Sequence, residues 1–316
     1  MIVREEFAAD KNLNWALLLD EKVREYLPDM KWAQDEPLSR HTSFRVGGPA
    51  KRMAFPATRE QLVILMGFAE EAGIQPILLG NGTNVLAPDA GVDALVIKTA
   101  DALTGLSLSA EEEITADAGV NLARIGMFAW QNGLTGFEFA HGIPGSLGGG
   151  LAMNAGAYGG ELKDVIVEAT VLFPNGIRTM KVDELDLSYR HSIFTDHPEA
   201  VVLGAKIRLK KGDKDTIKAR MDELAAKRKA SQPLEYPSAG STFKRPVGNF
   251  AGTLIEQCGL KGTRIGGAEV SRKHAGFIIN ADHATCEDVL ALIAHVQKTV
   301  FDATGITLEP EVKRIG

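Results

Sequence analysis

Apolar and polar positions along the chain follow two periods, and the stretches that keep each one predict its elements. "REQLVILMGFAEEAG" (59–73) reads as a helix ended by Gly73, and "IQPILLG" (74–80) as a buried strand running into a Gly/Asn turn. "ALVIK" (94–98), "EEITADAG" (112–119), "DVIVEATVLFPNG" (164–176) and "AVVLGAKIRLKKG" (200–212) read as strands, with turn signals at Asn175-Gly176 and Gly212. Helix and strand are mixed, and strands dominate the middle. From Lys211 the character changes. A charged segment puts Ile217, Met221 and Leu224 on one helical face and stops at Pro233, which sets a domain boundary near Gly212. A last helix, with Thr285 as cap and Asp288 three residues on, runs to Gly305, and a short extended tail closes the chain.

At 316 residues the chain has room for two or three compact domains. The net charge of -6 argues against a general nucleic-acid binder, though a local basic patch can still hold a phosphate. Cys258 and Cys286 have no paired spacing, so both read as small core or loop residues in a reducing compartment. The first fifteen residues show no apolar run of the signal-peptide kind, and no stretch is long and apolar enough to span a bilayer. The expectation is a cytoplasmic protein with no membrane partner.

The most unusual stretch is "GIPGSLGGGLAMNAGAYGGE" (142–161), in which eight of twenty residues are glycine. A flexible linker carries polar filler, whereas this run carries Ile143, Leu147, Leu151, Met153 and Tyr158. It reads as backbone that comes very close to something. A second turn, "GNGTN" (80–84), follows an apolar strand. Such turns aim successive N–H groups at anionic oxygens, so a phosphorylated ligand fits, with an Asn-Gly hairpin turn as the plainer reading. The dinucleotide fingerprint fails because Val85 stands where its third glycine belongs, and no P-loop pattern is present.

"HTSFRVGGPA" (41–50), "LGNGTNVL" (79–86), the glycine-rich run, "LSYRHSIF" (187–194), "PSAGSTFKRP" (237–246), "KHAGFIIN" (273–280) and "LEPEV" (308–312) fall in an order that resembles the UDP-N-acetylenolpyruvoylglucosamine reductase family, over about residues 13 to 316. That resemblance implies an α+β fold: a two-lobed FAD-binding domain of the vanillyl-alcohol oxidase type, then an α+β substrate-binding domain. The implied layout is a helical lead-in over 1–40, FAD-binding lobes over 41–100 and 101–212, and a substrate domain over 213–316. It implies NADPH-dependent reduction of UDP-N-acetylglucosamine enolpyruvate to UDP-N-acetylmuramate through FAD, for peptidoglycan synthesis, with no obligate protein partner. By the same resemblance Arg45, Gly47, Gly80, Asn81, Gly82, Thr83, Asn84, Gly142, Ile143, Pro144, Gly145, Ser146, Gly148, Asn154 and Gly156 line the flavin.

For the reaction, the resemblance makes Ser241 the proton donor, Arg190 the partner of the substrate carboxylate, and Glu311 the catalytic glutamate, with Glu309 as the natural control two residues away. Guanidinium suits Arg190's task because its planar fork holds two oxygens and keeps its proton. Taken without the resemblance, Ser241 is a turn residue and Arg190 half of a salt bridge. Arg228, Lys244 and Arg245 are the candidates for the substrate phosphates. The single helix between Gly212 and Pro237 leaves no room for an inserted tyrosine loop, which implies the shorter subtype. His41, His141, His191 and His274 read as satisfied polar residues, and no metal is expected from the spacing. The alternatives are another FAD-dependent oxidase on the same scaffold, and a nucleotide-binding protein without flavin.

Overall fold

The computed structural model describes residues 14–100 and 102–316, so most of the N-terminal stretch read for a leader lies outside the described residues. The first sheet orders its strands Lys31–Pro37, Pro49–Phe55, Val92–Lys98 and Ile77–Leu79, antiparallel at the first pair and parallel at the other two. Parallel neighbours need a crossover, and helix Arg59–Glu71 supplies it. The Thr58 hydroxyl accepts from the Gln61 N–H at 3.2 Å to start this helix, and Gly73 at φ +67° turns the chain out of it. Its buried face, Leu62, Leu65 and Ala69, packs with Leu19 and Val23 of helix Trp15–Tyr26.

That first helix is also tied electrostatically. Asp20 accepts from Arg52 Nε and Nη2 at 2.7 and 2.6 Å and from Trp32 Nε1 at 2.8 Å, at a nearly buried position. Burial alone would raise its pKa, but the Arg52 and Trp32 hydrogen bonds and the Arg52 charge hold it below the usual carboxylate value. Asp20→Ala strands a buried guanidinium and is expected to cost about 3 kcal/mol of stability, read from urea midpoints. The depressed pKa places Asp20's contribution above the ordinary carboxylate value, and it is lost as pH falls through the folded value. The difference between wild type and variant should therefore shrink in acid.

The second sheet is antiparallel throughout, in the order Gly176–Lys181, Ile166–Phe173, Val201–Arg208, Glu113–Asp117, Leu106–Ala110. The stretch read as one strand over 200–212 breaks after Arg208, and Lys210–Lys211 leaves to pair with Leu134–Thr135. Helices Leu122–Gln131 and Leu147–Ala152 pack onto this sheet through Ile125, Ala129, Leu147 and Leu151.

Here several glycines of the run find their reason. A Cβ on Gly148 would lie 3.1 Å from Ala118 Cβ, one on Gly150 2.9 Å from Leu162 Cδ1, and one on Gly156 2.7 Å from the Gly160 carbonyl. These three serve helix–sheet and hairpin packing. Gly145 differs: a Cβ there would make only ordinary contact, 3.8 Å from Thr83 Oγ1 and 3.9 Å from Leu122 Cδ1, so packing within the chain does not require a glycine.

Helix Lys214–Ser231, capped by Asp213 and burying Ile217, Met221 and Leu224, leads to the C-terminal part. There strands Arg264–Ile265, Ala268–Val270 and Ile278–Asn280 form a small antiparallel sheet under helix Cys286–Thr304. A Thr285–Asp288 capping box opens that helix and Gly305 at φ +71° ends it. Its core takes in Phe44, Val46 and Leu86 from the first part of the chain. The tail, Lys313–Arg314, adds in parallel to Val85–Leu86, which carries Glu311 back to the "GNGTN" turn. No helix among the described residues is long and apolar enough to cross a membrane.

Candidate active site

A cleft of about 370 Å³ gathers Arg190, Ser241 and Glu311, contributed by three stretches far apart in sequence. Arg190 sits in the turn Ser188–His191, where Ser188 and His191 exchange backbone hydrogen bonds at 3.2 Å. Its φ of +56° is costly for a side-chain-bearing residue, so the turn and its surroundings hold a strained backbone. Arg190 Nε donates to Glu311 Oε1 at 2.7 Å, and both side chains are largely shielded from solvent.

Glu311 is fixed by its backbone. Its N–H donates to the Thr242 carbonyl at 2.8 Å, and its carbonyl accepts from Asn84 Nδ2 at 3.2 Å. Burial pushes its carboxyl above the usual range, with the Arg190 charge and hydrogen bond opposing. Glu309 is different: it pairs with Lys244 at an exposed position. The tail pairs with the serine loop only through the isolated bridge Pro310–Phe243, and the two glutamates meet different surroundings, Lys244 for Glu309 and Arg190 for Glu311.

Ser241 is exposed in the cleft, and no group among the described residues hydrogen-bonds its hydroxyl. Its loop is nevertheless rigidly held next door. The Thr242 N–H donates to the Gly276 carbonyl at 2.8 Å, and the Thr242 hydroxyl accepts from the Ile278 N–H at 2.9 Å.

Among the phosphate candidates, Arg245 lines the cleft with its guanidinium 4.0 Å over the Phe250 ring, and its N–H donates to the Tyr189 hydroxyl at 3.0 Å. Lys244 turns to Glu309. Arg228 lies apart from both. Its guanidinium is 5.9 Å over the Tyr158 ring, and a Cβ on Gly142 would come 3.0 Å from its Nε. That Nε is buried without a hydrogen-bond partner, and burial lowers the guanidinium's pKa against the pull of Tyr158. Arg228 therefore faces the glycine-rich run. Tyr189, Phe250, Lys273 and His274 also line the cleft, and of these the sequence reading had considered only His274, as a satisfied polar residue.

Beside the cleft, the two glycine-bearing turns face each other. Gly80 stands so close to Ser146 Oγ that no side chain fits, and Gly82, at φ +65°, is pressed against the His41 carbonyl. Asn81 Nδ2 donates to Asn121 Oδ1 at 3.0 Å, Asn121 bridges to Ser146, and Gly145 looks toward Thr83. Ile143 is half-buried and Pro144 is exposed. Arg45, Asn154 and Tyr158 all take positive φ. The Asn154 amide is taken up by Glu161, Ser188 and Lys163, and Gly47 is packed on Ala87, which leaves those two positions only their backbone to offer. Gly145, whose bareness no internal packing demands, and the unmatched Arg228 Nε beside Gly142 fit an anionic group lying along the glycine-rich run.

Asp186, His191 and Asp196 meet on the surface beyond Arg190, with His191 Nε2 3.0 Å from Asp186 and 3.8 Å from Asp196. The spacing had not revealed this grouping, because a turn brings the three together.

Residues 50–180 match the model of an FAD binding domain, and residues 232–315 that of the UDP-N-acetylenolpyruvoylglucosamine reductase C-terminal domain. The UDP-N-acetylenolpyruvoylglucosamine reductase of Caldanaerobacter subterraneus subsp. tengcongensis is 47% identical over 95% of this chain and 99% of its own. That of Agathobacter rectalis is 48% identical over 93% of this chain and 97% of its own. The crystal structure of UDP-N-acetylenolpyruvylglucosamine reductase from Thermus caldophilus superposes with a TM-score of 0.77 at 34% identity, covering 91% of this chain and 99% of that one.

Proposed function

The chain belongs to the UDP-N-acetylenolpyruvoylglucosamine reductase family, and from that premise we propose that it reduces UDP-N-acetylglucosamine enolpyruvate to UDP-N-acetylmuramate with NADPH, in the cytoplasm, for peptidoglycan synthesis. It is an FAD-dependent oxidoreductase with an N-terminal FAD-binding domain of the vanillyl-alcohol oxidase type and an α+β substrate domain. The observation that carries the reading is the meeting of Arg190, Ser241 and Glu311 in one cleft next to the paired glycine turns.

FAD, when bound, would supply the hydride chemistry that links NADPH to the enolpyruvyl group. The turns 80–84 and 142–149 and the Arg228 guanidinium are the residues to hold it. The chain's own groups manage the charge that follows. Once the terminal carbon is reduced, negative charge gathers on the attached carboxylate, and Arg190 offers a fixed, permanently charged fork to it. Ser241, with its hydroxyl uncommitted, delivers a proton to the neighbouring carbon. Glu311 keeps Arg190 aligned before substrate enters. Arg245 and Lys244 are set to meet the substrate phosphates.

The deciding experiment is the visible spectrum of the purified protein, taken anaerobically before NADPH, after it, and after the enolpyruvyl substrate. Bleaching followed by recovery supports the reading, and a colourless protein that takes up no added FAD overturns it. Gly145→Ala gives a narrower check. Since the added methyl meets nothing nearer than 3.8 Å in the chain, melting without FAD should be unchanged. Titration should show FAD affinity down by about tenfold, the size of one misplaced group at about 1.4 kcal/mol.

A further inference from the structure

His274 is half-buried, at the wall of the cleft, in the turn that follows Ser271. Its Nδ1 accepts from the Gly276 N–H at 3.1 Å, its ring lies edge-on to Phe277 at 5.0 Å, and its own N–H donates to Ser271 Oγ at 3.3 Å. A Cβ on Gly252 or Gly276 would come 3.2 or 3.0 Å from His274 Cε1, so bare backbone encloses the ring. Gly276 is thus held at both of its backbone polar groups, on the two peptides that flank its Cα: its N–H by His274, its C=O by the Thr242 N–H at 2.8 Å. Ser241 is the next residue. We infer that His274 is a positioning residue for Ser241, holding the proton donor in place through the backbone of Gly276 and Thr242.

The inference rests on Ser241 being the proton donor. It requires a particular protonation state: only an imidazole with a free Nδ1 lone pair accepts from an N–H, and an imidazolium donates at both nitrogens. Burial favours the neutral ring and lowers its pKa. Its own backbone contact opposes this, Lys261 adds to it, and Glu256, paired with Lys261, opposes it; Lys273, Arg245 and the Arg190–Glu311 pair are the other charged side chains lining this cleft. The contact is therefore intact above the ordinary histidine range and is lost as pH falls through the depressed value.

Two variants of the FAD-loaded enzyme test this: His274→Leu, which removes the acceptor, and His274→Asn, whose side-chain carbonyl stands where Nδ1 stood. At pH 8, amide exchange at Thr242 and Gly276 should be about tenfold faster in H274L and near wild type in H274N. Reoxidation by the enolpyruvyl substrate should fall by a similar factor in H274L and be largely rescued in H274N. The wild-type rate should drop in acid, and that drop should vanish in H274N. Unchanged exchange in H274L, or H274N as impaired as H274L, overturns the inference. If H274L does not fold, an acid limb persisting in H274N overturns it and its loss supports it. Ser241→Ala alone tells whether the serine's role has failed instead: an unslowed half-reaction there removes the premise without touching the exchange result.

Discussion

Ser241→Ala is expected to slow the substrate half-reaction by roughly 10²–10⁴-fold, the range that a positioned proton donor contributes, while FAD stays bound and the fold is unchanged. The structural side of this expectation follows from the site. The hydroxyl is exposed and no group among the described residues bonds to it, so its removal costs no internal contact. Melting should move by no more than the shift of a surface change, about 0.5 kcal/mol. The loop itself is held by Thr242, whose N–H and hydroxyl are both engaged, and alanine leaves those bonds in place. Stopped-flow absorbance after adding the enolpyruvyl substrate to pre-reduced enzyme separates the outcomes. A rate within twofold of wild type would remove Ser241 from the mechanism and leave water or another group as the donor.

Arg190→Met is expected to lower the same half-reaction on the order of 10³-fold, comparable to losing a fixed charge at a developing anion. Arg190→Lys should recover only part of this, because a point charge cannot match a planar fork on two oxygens. Glu311 adds a pH dependence. In the free protein Arg190 is engaged by Glu311, so a substrate carboxylate that takes Arg190 leaves Glu311 buried and without its cation. Burial already raises its pKa, and losing the arginine raises it further, so binding should draw a proton onto Glu311. A raised carboxyl pKa sets the sign: binding is strongest where Glu311 is readily protonated and weakens as pH rises through the raised value. The loss approaches tenfold per unit for one linked proton. Glu311→Gln should flatten this dependence. Calorimetry in two buffers of different ionisation enthalpy measures the proton uptake directly, and equal apparent enthalpies in the wild type would refute the exchange of partners.

Much of the fold was legible in the chain itself. The helices Arg59–Glu71, Lys214–Ser231 and Cys286–Thr304 announce themselves because cap, apolar period and stop lie within one segment. Strand boundaries were less legible. The stretch 200–212 holds one apolar pattern, yet Leu209 separates two pairings, since where a strand ends depends on partners far away in sequence. Helix Leu122–Gln131 is less legible because most of its surface is apolar, which blurs the helical period.

The candidate site divides in the same way. Arg190, Ser241 and Glu311 were visible as residues inside ordered motifs, because their chemical types and the motif order are properties of the chain. Their meeting was not visible. Glu309 and Glu311 are equal carboxylates in the sequence, and only the folded chain gives one Lys244 and the other Arg190 as its partner. The glycines show the same limit. Composition marks the run, but the neighbours of each missing Cβ decide that Gly148 and Gly150 must be bare to pack while Gly145 need not be. Arg228 reads as one more cation near a phosphate until tertiary burial leaves its Nε facing the glycine run. By itself the sequence determined the local elements and the chemical inventory, because caps, periods and side-chain types act within a few residues. Which of two like residues is buried against Arg190 was decided only in the tertiary structure, because burial and partner distance arise from contacts between segments that the chain order keeps apart.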